Sequence, residues 1–600
     1  MKQTRIRKGA AFGIIAVMVS AMLLASMPTV SASEELYGDA NGDGKIDMRD
    51  VTYVGLIILG KKPANELADA NQDGRVNVLD ITYIELIILG KVPEPTPTLR
   101  IGTTRKIKTT NLMSDYWYGI LAMIMSHDTL VRFDPDLNII PQLAERWESS
   151  EDGKVWKFYI AENARWHDGK TVTPEDVKFS YEYYAEKNPK MRWLKDVLDR
   201  IDIEDDAVVM YLNKPYGRFL TEAFVIRIVP KHIWENVDDP LKYQGEDATI
   251  GGGPFVFEKF DKVAGIVSFK ANRDYYKGKP NVDRVEFHIY KTTDTLTMAL
   301  VKGEVDAYYN YATGFSYPYV PKLLKAEDMR FLTTTHIGIP AALGFNLEKY
   351  PLNVREFREA ITYGMNYKEI NEYIFAGYGA TPSAGFVPPS MPNYNPNIRE
   401  LEYNPEKAKE MLDVLGFKDT DGDGIRETGD GTKLSFTLLG RTDIAEHVRM
   451  NELLKRDLEE IGIEIRVKGV DTSTWIAMKD KKEYDLVFFR TTPWGMLMHA
   501  GHGSGYFDIR RTGAGVLHNL DNEEFLNICD EILQTTDPDR IKELNYKLQE
   551  IYAEQLPAIA LCWTDMVYPY RANWEGWVVH MLEGGLANHF SWFSIKPVAS

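Results

Sequence analysis

Acidic and amide side chains recur at fixed spacing near the N-terminus: Asp39, Asn41, Asp43, Asp47 and Asp50, then, thirty residues on, Asp69, Asn71, Asp73, Asn77 and Asp80. They fall at positions 1, 3, 5, 9 and 12 of a twelve-residue loop. Gly44 and Gly74 stand at the sharp turn of position 6, and the carbonyls of Lys45 and Arg75 at position 7. An all-oxygen cage suits a hard cation, so each loop is expected to hold one calcium ion. One such run could be an ordinary surface turn, whereas two near-identical copies argue for metal. A third run, Asp419, Asp421, Asp423, Ile425, Glu427 and Asp430 with Gly424 at position 6, reads either as a further calcium loop or as an Asx-rich turn.

Other chemistries find less support. There is no G-x-S-x-G and no H-E-x-x-H, and the run Gly251–Gly253 lacks the Lys-Ser/Thr of a phosphate cradle, so it reads as a tight turn into a strand. A net charge of −18 and a pI near 5.2 argue against nucleic acid and anionic lipid as partners. Cys529 and Cys562 are too few for a disulfide framework. A hydrophobic fraction of 44% and an aromatic fraction of 12% indicate folded material, and 600 residues call for several domains.

The elements that must position these residues follow in order. Lys2, Arg5, Arg7 and Lys8, an apolar run from Ala10 to Ala25 and Val30-Ser31-Ala32 read as a signal peptide over 1–32, cleaved or kept as an anchor, without a nearby cysteine for a lipid anchor. The two acidic loops, each followed by one helix, define a small all-α module over 37–91. A Pro-rich spacer covers 92–99, and the main body runs from 100 to 600. Within it, Val155–Ile160 alternates two packable sets, as in a strand covered on both faces, between the turns Asp152-Gly153 and Asp168-Gly169. Thr173 and Pro174 then suit the cap and first position of a helix. Phe357, Ala360, Ile361 and Gly364 share one helical face.

The stretch His127–Tyr181 resembles the signature of the extracytoplasmic solute-binding proteins of peptide and nickel ABC importers. The matching residues are Leu130 and Phe133, Pro141, Leu143, Ala144 and Trp147, the S-x-D-G-x-x-W-x-F run from Ser150 to Phe158, Trp166–Lys170 and Thr173–Val177. Further matches are Asn272–Pro280, with Tyr276 where the family has Trp, and Leu300–Asp306. The resemblance implies an α/β, bilobal periplasmic-binding-protein type II fold of the large three-subdomain variety. Lobe 1 would cover about 100–340 and 566–600 and lobe 2 about 341–565, with Gly344–Asn346 at the crossing and a return near Leu556–Leu561. The small module resembles a type I dockerin, because position 12 is Asp rather than Glu and no clear helix precedes each loop. That implies a cohesin-bearing surface protein as partner. Met48-Arg49 and Val78-Leu79 depart from the Ser-Thr that cellulosomal dockerins commonly carry there.

By the same resemblance the solute is held between the lobes by aromatic walls and a few polar groups. The segment Tyr484–His502 resembles the nickel-binding branch more than the peptide-binding one: it carries R-T-x-P-W-G through Trp494, and no Asp follows until Asp508. His499 and His502 are candidate metal-binding imidazoles, Trp494 a cleft wall, and Arg192 and Arg227 candidate partners for a chelator's carboxylates. Arg192 and Arg227 could equally sit in surface ion pairs, and the two histidines in a solvated Gly-rich loop. The expected function is extracytoplasmic capture of a nickel chelate for an ABC permease, nickel being cargo and calcium the structural ion. Oligopeptide capture by the same fold is the alternative, and a dockerin-borne hydrolase or assembly protein a remote one.

Overall fold

In the N-terminal unit the acidic and amide residues of the two repeated runs also start the helices. The structure, a computed structural model, describes residues 36–71, 76–91, 98–311, 313–336, 342–490, 497 and 520–598; the leader and most of the spacer lie outside these. The chain divides into two compact units, Met1–Pro95 and Thr96–Ser600.

In the smaller unit the helix Met48–Ile58 is capped by Asp47, which accepts from Arg49 N, while the Asp50 carboxylate takes the Asp47 N–H at 2.9 Å. Val78–Ile88 repeats this with Asn77 and Asp80. Such reciprocal boxes satisfy backbone donors that a helix start otherwise leaves free. The two helices close over a small core of Ala40, Val54, Ala68, Ala70 and Ile84.

The larger unit is built on two mixed sheets. One has seven strands in the order Met329–Thr333, Val567–Arg571, Ala307–Tyr308, Leu99–Thr103, Arg284–Ile289, Ile266–Ala271 and Phe255–Asp261. The other has five, in the order Glu464–Val470, Ser435–Arg441, Leu486–Phe489, Ala342–Phe345 and Ala558–Ala560. The chain passes from the first to the second after Thr333 and returns after Ala560. Gly344 and Phe345, expected at the crossing, already belong to a central strand of the second sheet, so the crossing precedes them.

A four-stranded antiparallel sheet carries the signature strand Val155–Ile160 between Ala144–Ser149 and Ala207–Leu212. Trp156, Phe158 and Ile160 are buried, but Val155, Lys157 and Tyr159 are only half-buried. The expected second apolar cover is absent there. Instead the Arg146 guanidinium lies 3.2 Å from the Tyr159 ring centroid, and Lys157 also approaches that ring. Long charged side chains can shield a ring this way while their heads stay in water. Thr173 caps Pro174–Lys187 with Asp176 completing the box. Phe357, Ala360, Ile361 and Gly364 are buried along Arg355–Gly364.

His167 and Asp168 are scaffold. The imidazole donates from Nε2 to Gly253 O at 3.0 Å and accepts from Gly251 N at 3.3 Å, and Asp168 pairs with His232 at 2.8 Å. A fully buried ion pair joins Arg132 to Glu583, with Asp128 nearby. Burial alone would raise the Glu583 carboxyl, and Arg132 holds it below its ordinary range. The same carboxylate accepts from His589 N at 2.9 Å, fastening the C-terminal segment to the first strands. Cys529 and Cys562 are both buried with no disulfide between them. Among the described residues no helix is long and apolar enough to cross a membrane.

The glycine turn sets a steric test. A Cβ on Gly251 would stand 1.8 Å from Ser126 O, whereas one on Gly252 would meet nothing closer than 3.5 Å. Gly251→Ala is expected to destabilise by about 1–3 kcal/mol in urea denaturation, and Gly252→Ala to cost less than about 1 kcal/mol. Equal costs would show that the turn relaxes freely.

Candidate ligand-binding cleft

Between the two sheets lies a cavity of about 290 Å³, lined from both sides by residues at the C-terminal ends of parallel strands. Leu99–Thr103 leads into Thr104 and Arg105, and Ala307–Tyr308 into Asn310. On the other side Ser435–Arg441 leads into Asp443, Glu446 and His447, and Leu486–Phe489 into Arg490. In open α/β sheets such ends are where ligands collect. Thr564 and Met566, on the returning crossing, complete the wall.

The charges are unequal. Arg441 forks onto Asp443 at 3.0 and 2.5 Å, which pulls that carboxyl down to about 2; burial opposes the shift and Thr472 assists it. Glu446 accepts from Ser316 Oγ at 2.6 Å. Arg105 donates to Asn310 Oδ1 and lies 4.0 Å over the Trp117 ring. Among the described residues neither Arg105 nor Arg490 meets a carboxylate, and Arg490 donates to no described acceptor. Burial, reinforced by the repulsion of Arg105 and Arg441, lowers Arg490 to about 10. Burial likewise lowers Arg105. Half-buried cations held against their own repulsion form a receptor for an anion, because a bound carboxylate would relieve both costs.

His447 is 1% exposed, edge-on to Phe488 at 4.2 Å, and neither ring nitrogen has a hydrogen-bond partner. Burial pushes it down to about 2, helped by Arg490 and Arg441. It is therefore a neutral imidazole in the cavity wall, with both ring nitrogens buried.

The sequence-predicted site residues are distributed otherwise. Arg192 is exposed at the start of Trp193–Val197 and does not line the cavity. Arg227 is 9% exposed and gives its guanidinium to backbone, Nε to Gly119 O at 2.7 Å and Nη1 to Val225 O at 3.4 Å, again away from the cavity lining. Trp494, His499 and His502 lie outside the described residues. Arg105, Arg490 and His447 were not singled out. The available signal was their place just beyond buried strand ends, which a motif search does not read.

The first acidic loop folds around its own carboxylates. Asp39 accepts from Asp43 N at 3.0 Å and Gly44 N at 2.7 Å, and Asp50 accepts from Asn41 N at 3.0 Å. Asp39 is 4% exposed and Asp50 is fully buried. Arg49 bridges Asp43 and Asp47, and its hydrogen bonds draw Asp47 down to about 2. Buried carboxylates with only N–H neighbours are a donor set that fits calcium. In the second copy Asp80 accepts from Asn71 N and Asn77 N, while Asp73 and Arg75 lie outside the described residues.

The sequence profile described as "Bacterial extracellular solute-binding proteins, family 5 Middle" matches residues 138–503, and a "Dockerin type I domain" profile matches 27–89. The chain belongs to the family 5 bacterial extracellular solute-binding proteins. It is 28% identical over 377 residues to the oligopeptide-binding protein AppA of Bacillus subtilis, spanning 60% of this chain and 66% of that protein. It is 24% identical over 384 residues to the nickel-binding periplasmic protein of Escherichia coli, spanning 63% and 71%. The crystal structure of NikA from Brucella suis in complex with Fe(III)-EDTA superposes with a TM-score of 0.72 at 20% identity, covering 84% of this chain and all of that one. These relatives are binding proteins rather than enzymes.

His447 supplies a pH test. Its unfolded form titrates near the ordinary 6.5 and the folded one near 2, so below 6.5 the unfolded chain binds the extra proton. Stability on this account is retained above pH 6.5 and falls below it by up to about 1.4 kcal/mol per pH unit. His447→Leu should recover that part, so its melting temperature drops less than the parent's between pH 7.5 and 5.0. An unchanged drop would mean the imidazole is hydrated.

Proposed function

We propose that the main body captures a small, carboxylate-bearing metal chelate, nickel in a low-molecular-weight chelator, and hands it to an ABC permease outside the cytoplasm. The observation that carries this reading is that Arg105 and Arg490, beside the neutral His447, form no ion pair among the described residues. Two guanidinium groups receive chelator carboxylates, and a neutral imidazole nitrogen can complete the coordination of a borderline metal. The cavity volume lies at the small end of ligand sites, which favours a compact ligand. Trp494, His499 and His502 follow Arg490 in sequence and stay candidates by family resemblance alone, while Arg192 and Arg227 lie outside the cavity lining.

A second reading, capture of short peptides, is favoured by the similarity to the Bacillus subtilis oligopeptide-binding protein. The same arginines would then take a C-terminal carboxylate. Calorimetry separates the two. Nickel mixed with histidine or citrate is expected to bind, and di- to tetrapeptides to give no heat; the reverse result discards the chelate reading. Arg490→Leu should weaken chelate binding about 10- to 100-fold, the worth of one charge-assisted contact. Unchanged affinity would remove Arg490 from the site.

The N-terminal module is proposed to fold around two calcium ions and to attach the protein to a cohesin-bearing surface protein. Adding calcium to chelator-treated protein is expected to raise the module's helical signal, and Asp50→Asn with Asp80→Asn to abolish the rise. A module equally helical in excess chelator would contradict it.

A further inference from the structure

We infer that the loop Asp419–Glu427 is a calcium site of the main body, closed by Glu427 at position 9 rather than by the residue at position 12. Carboxylate oxygens of Asp419, Asp421, Asp423 and Glu427 lie within 4.8 Å of one another. Three of these side chains are exposed, and an exposed acidic cluster alone would carry nothing. Glu427 is different: it is 4% exposed, its Oε2 accepts from Thr420 N at 2.8 Å and Thr420 Oγ at 2.9 Å, and its Oε1 is buried with no hydrogen-bond partner. A buried carboxylate oxygen left unsatisfied is costly, and here it belongs to a group of four acids. A hard divalent cation between them satisfies it.

The resident counter-charge does not do so. Lys433, bridged to Glu427 across the strand pair, sends its ammonium to Asp421 at 3.0 Å and to Asp423, not to the buried oxygen. The backbone repeats the first N-terminal loop. Asp419 accepts from Gly424 N as Asp39 does from Gly44 N, Asp423 accepts from Ile425 N as Asp43 does from Lys45 N, and Gly424 and Gly44 have φ of +90° and +83°. Asp430, at position 12, is turned into a separate turn where it accepts from Thr428 Oγ and Thr432 N. The six-ligand set expected from sequence is thus corrected to four carboxylates, with the Ile425 carbonyl at position 7. Arg426 fixes the base of the loop to Asp413, Phe417 O and Ile461 O.

Equilibrium dialysis of the full chain against radioactive calcium tests the site. Glu427→Gln is expected to bind one ion fewer than the parent, whatever number the N-terminal loops contribute. Lys433→Met should keep the parent's number with that ion held about tenfold tighter, since a competing cation is gone. In excess chelator Glu427→Gln should melt at or above the parent temperature, because it removes an unsatisfied charge. Equal ion counts in parent and Glu427→Gln overturn the proposal, as does a Glu427→Gln variant that melts lower without calcium. Asp39→Asn with Asp69→Asn lowers the count separately, so the two calcium assignments fail independently.

Discussion

The double passage of the chain between its two sheets is the constraint on which the cleft depends. Met329–Thr333 and Val567–Arg571 pair antiparallel, and the pairing continues as Thr334 N donates to Met566 O and Met566 N to Thr334 Oγ, both at 3.0 Å. Asp565, in the returning crossing, accepts from His336 N at 2.8 Å, and the His336 ring lies beside the same carboxylate. Because both passages leave the same edge, the C-terminal strand ends of one sheet look toward those of the other. Arg105 and Arg490, 385 positions apart in the chain, meet for that reason alone.

How much was legible in the sequence follows from how local each feature is. The capped helix at Thr173, the buried face of Arg355–Gly364 and the helix starts after the two acidic runs were readable, since a few consecutive residues and short-range hydrogen bonds determine them. Val155–Ile160 was read correctly as a strand, but its second face is covered by Arg146 and Lys157 rather than by apolar groups, and an alternating pattern cannot tell a ring shielded by a guanidinium from one packed in a core. Arg192 was singled out beside Trp193 by similarity to one branch of the family, yet it faces solvent. The cleft arginines carry no such tag. Their role comes from forming no ion pair among the described residues, which only the folded chain reveals.

The third acidic loop illustrates the same division. Spacing made Asp430 equivalent to the closing ligand of the N-terminal loops, but Thr428 and Thr432 draw it into their own turn. Glu427, three residues earlier, is the buried acid with an unsatisfied oxygen. Ligand spacing can be read from a sequence, whereas which oxygen lacks a partner is set by the fold.

The lining of the cleft has one further consequence. Asp443 titrates near 2, His447 near 2 and Arg490 near 10. Across the whole interval between, these three groups keep a constant charge, so this part of the receptor is electrostatically invariant. A fall of several pH units around the protein would leave the charge of these groups as it is. A pH dependence of capture would then not originate in these three groups.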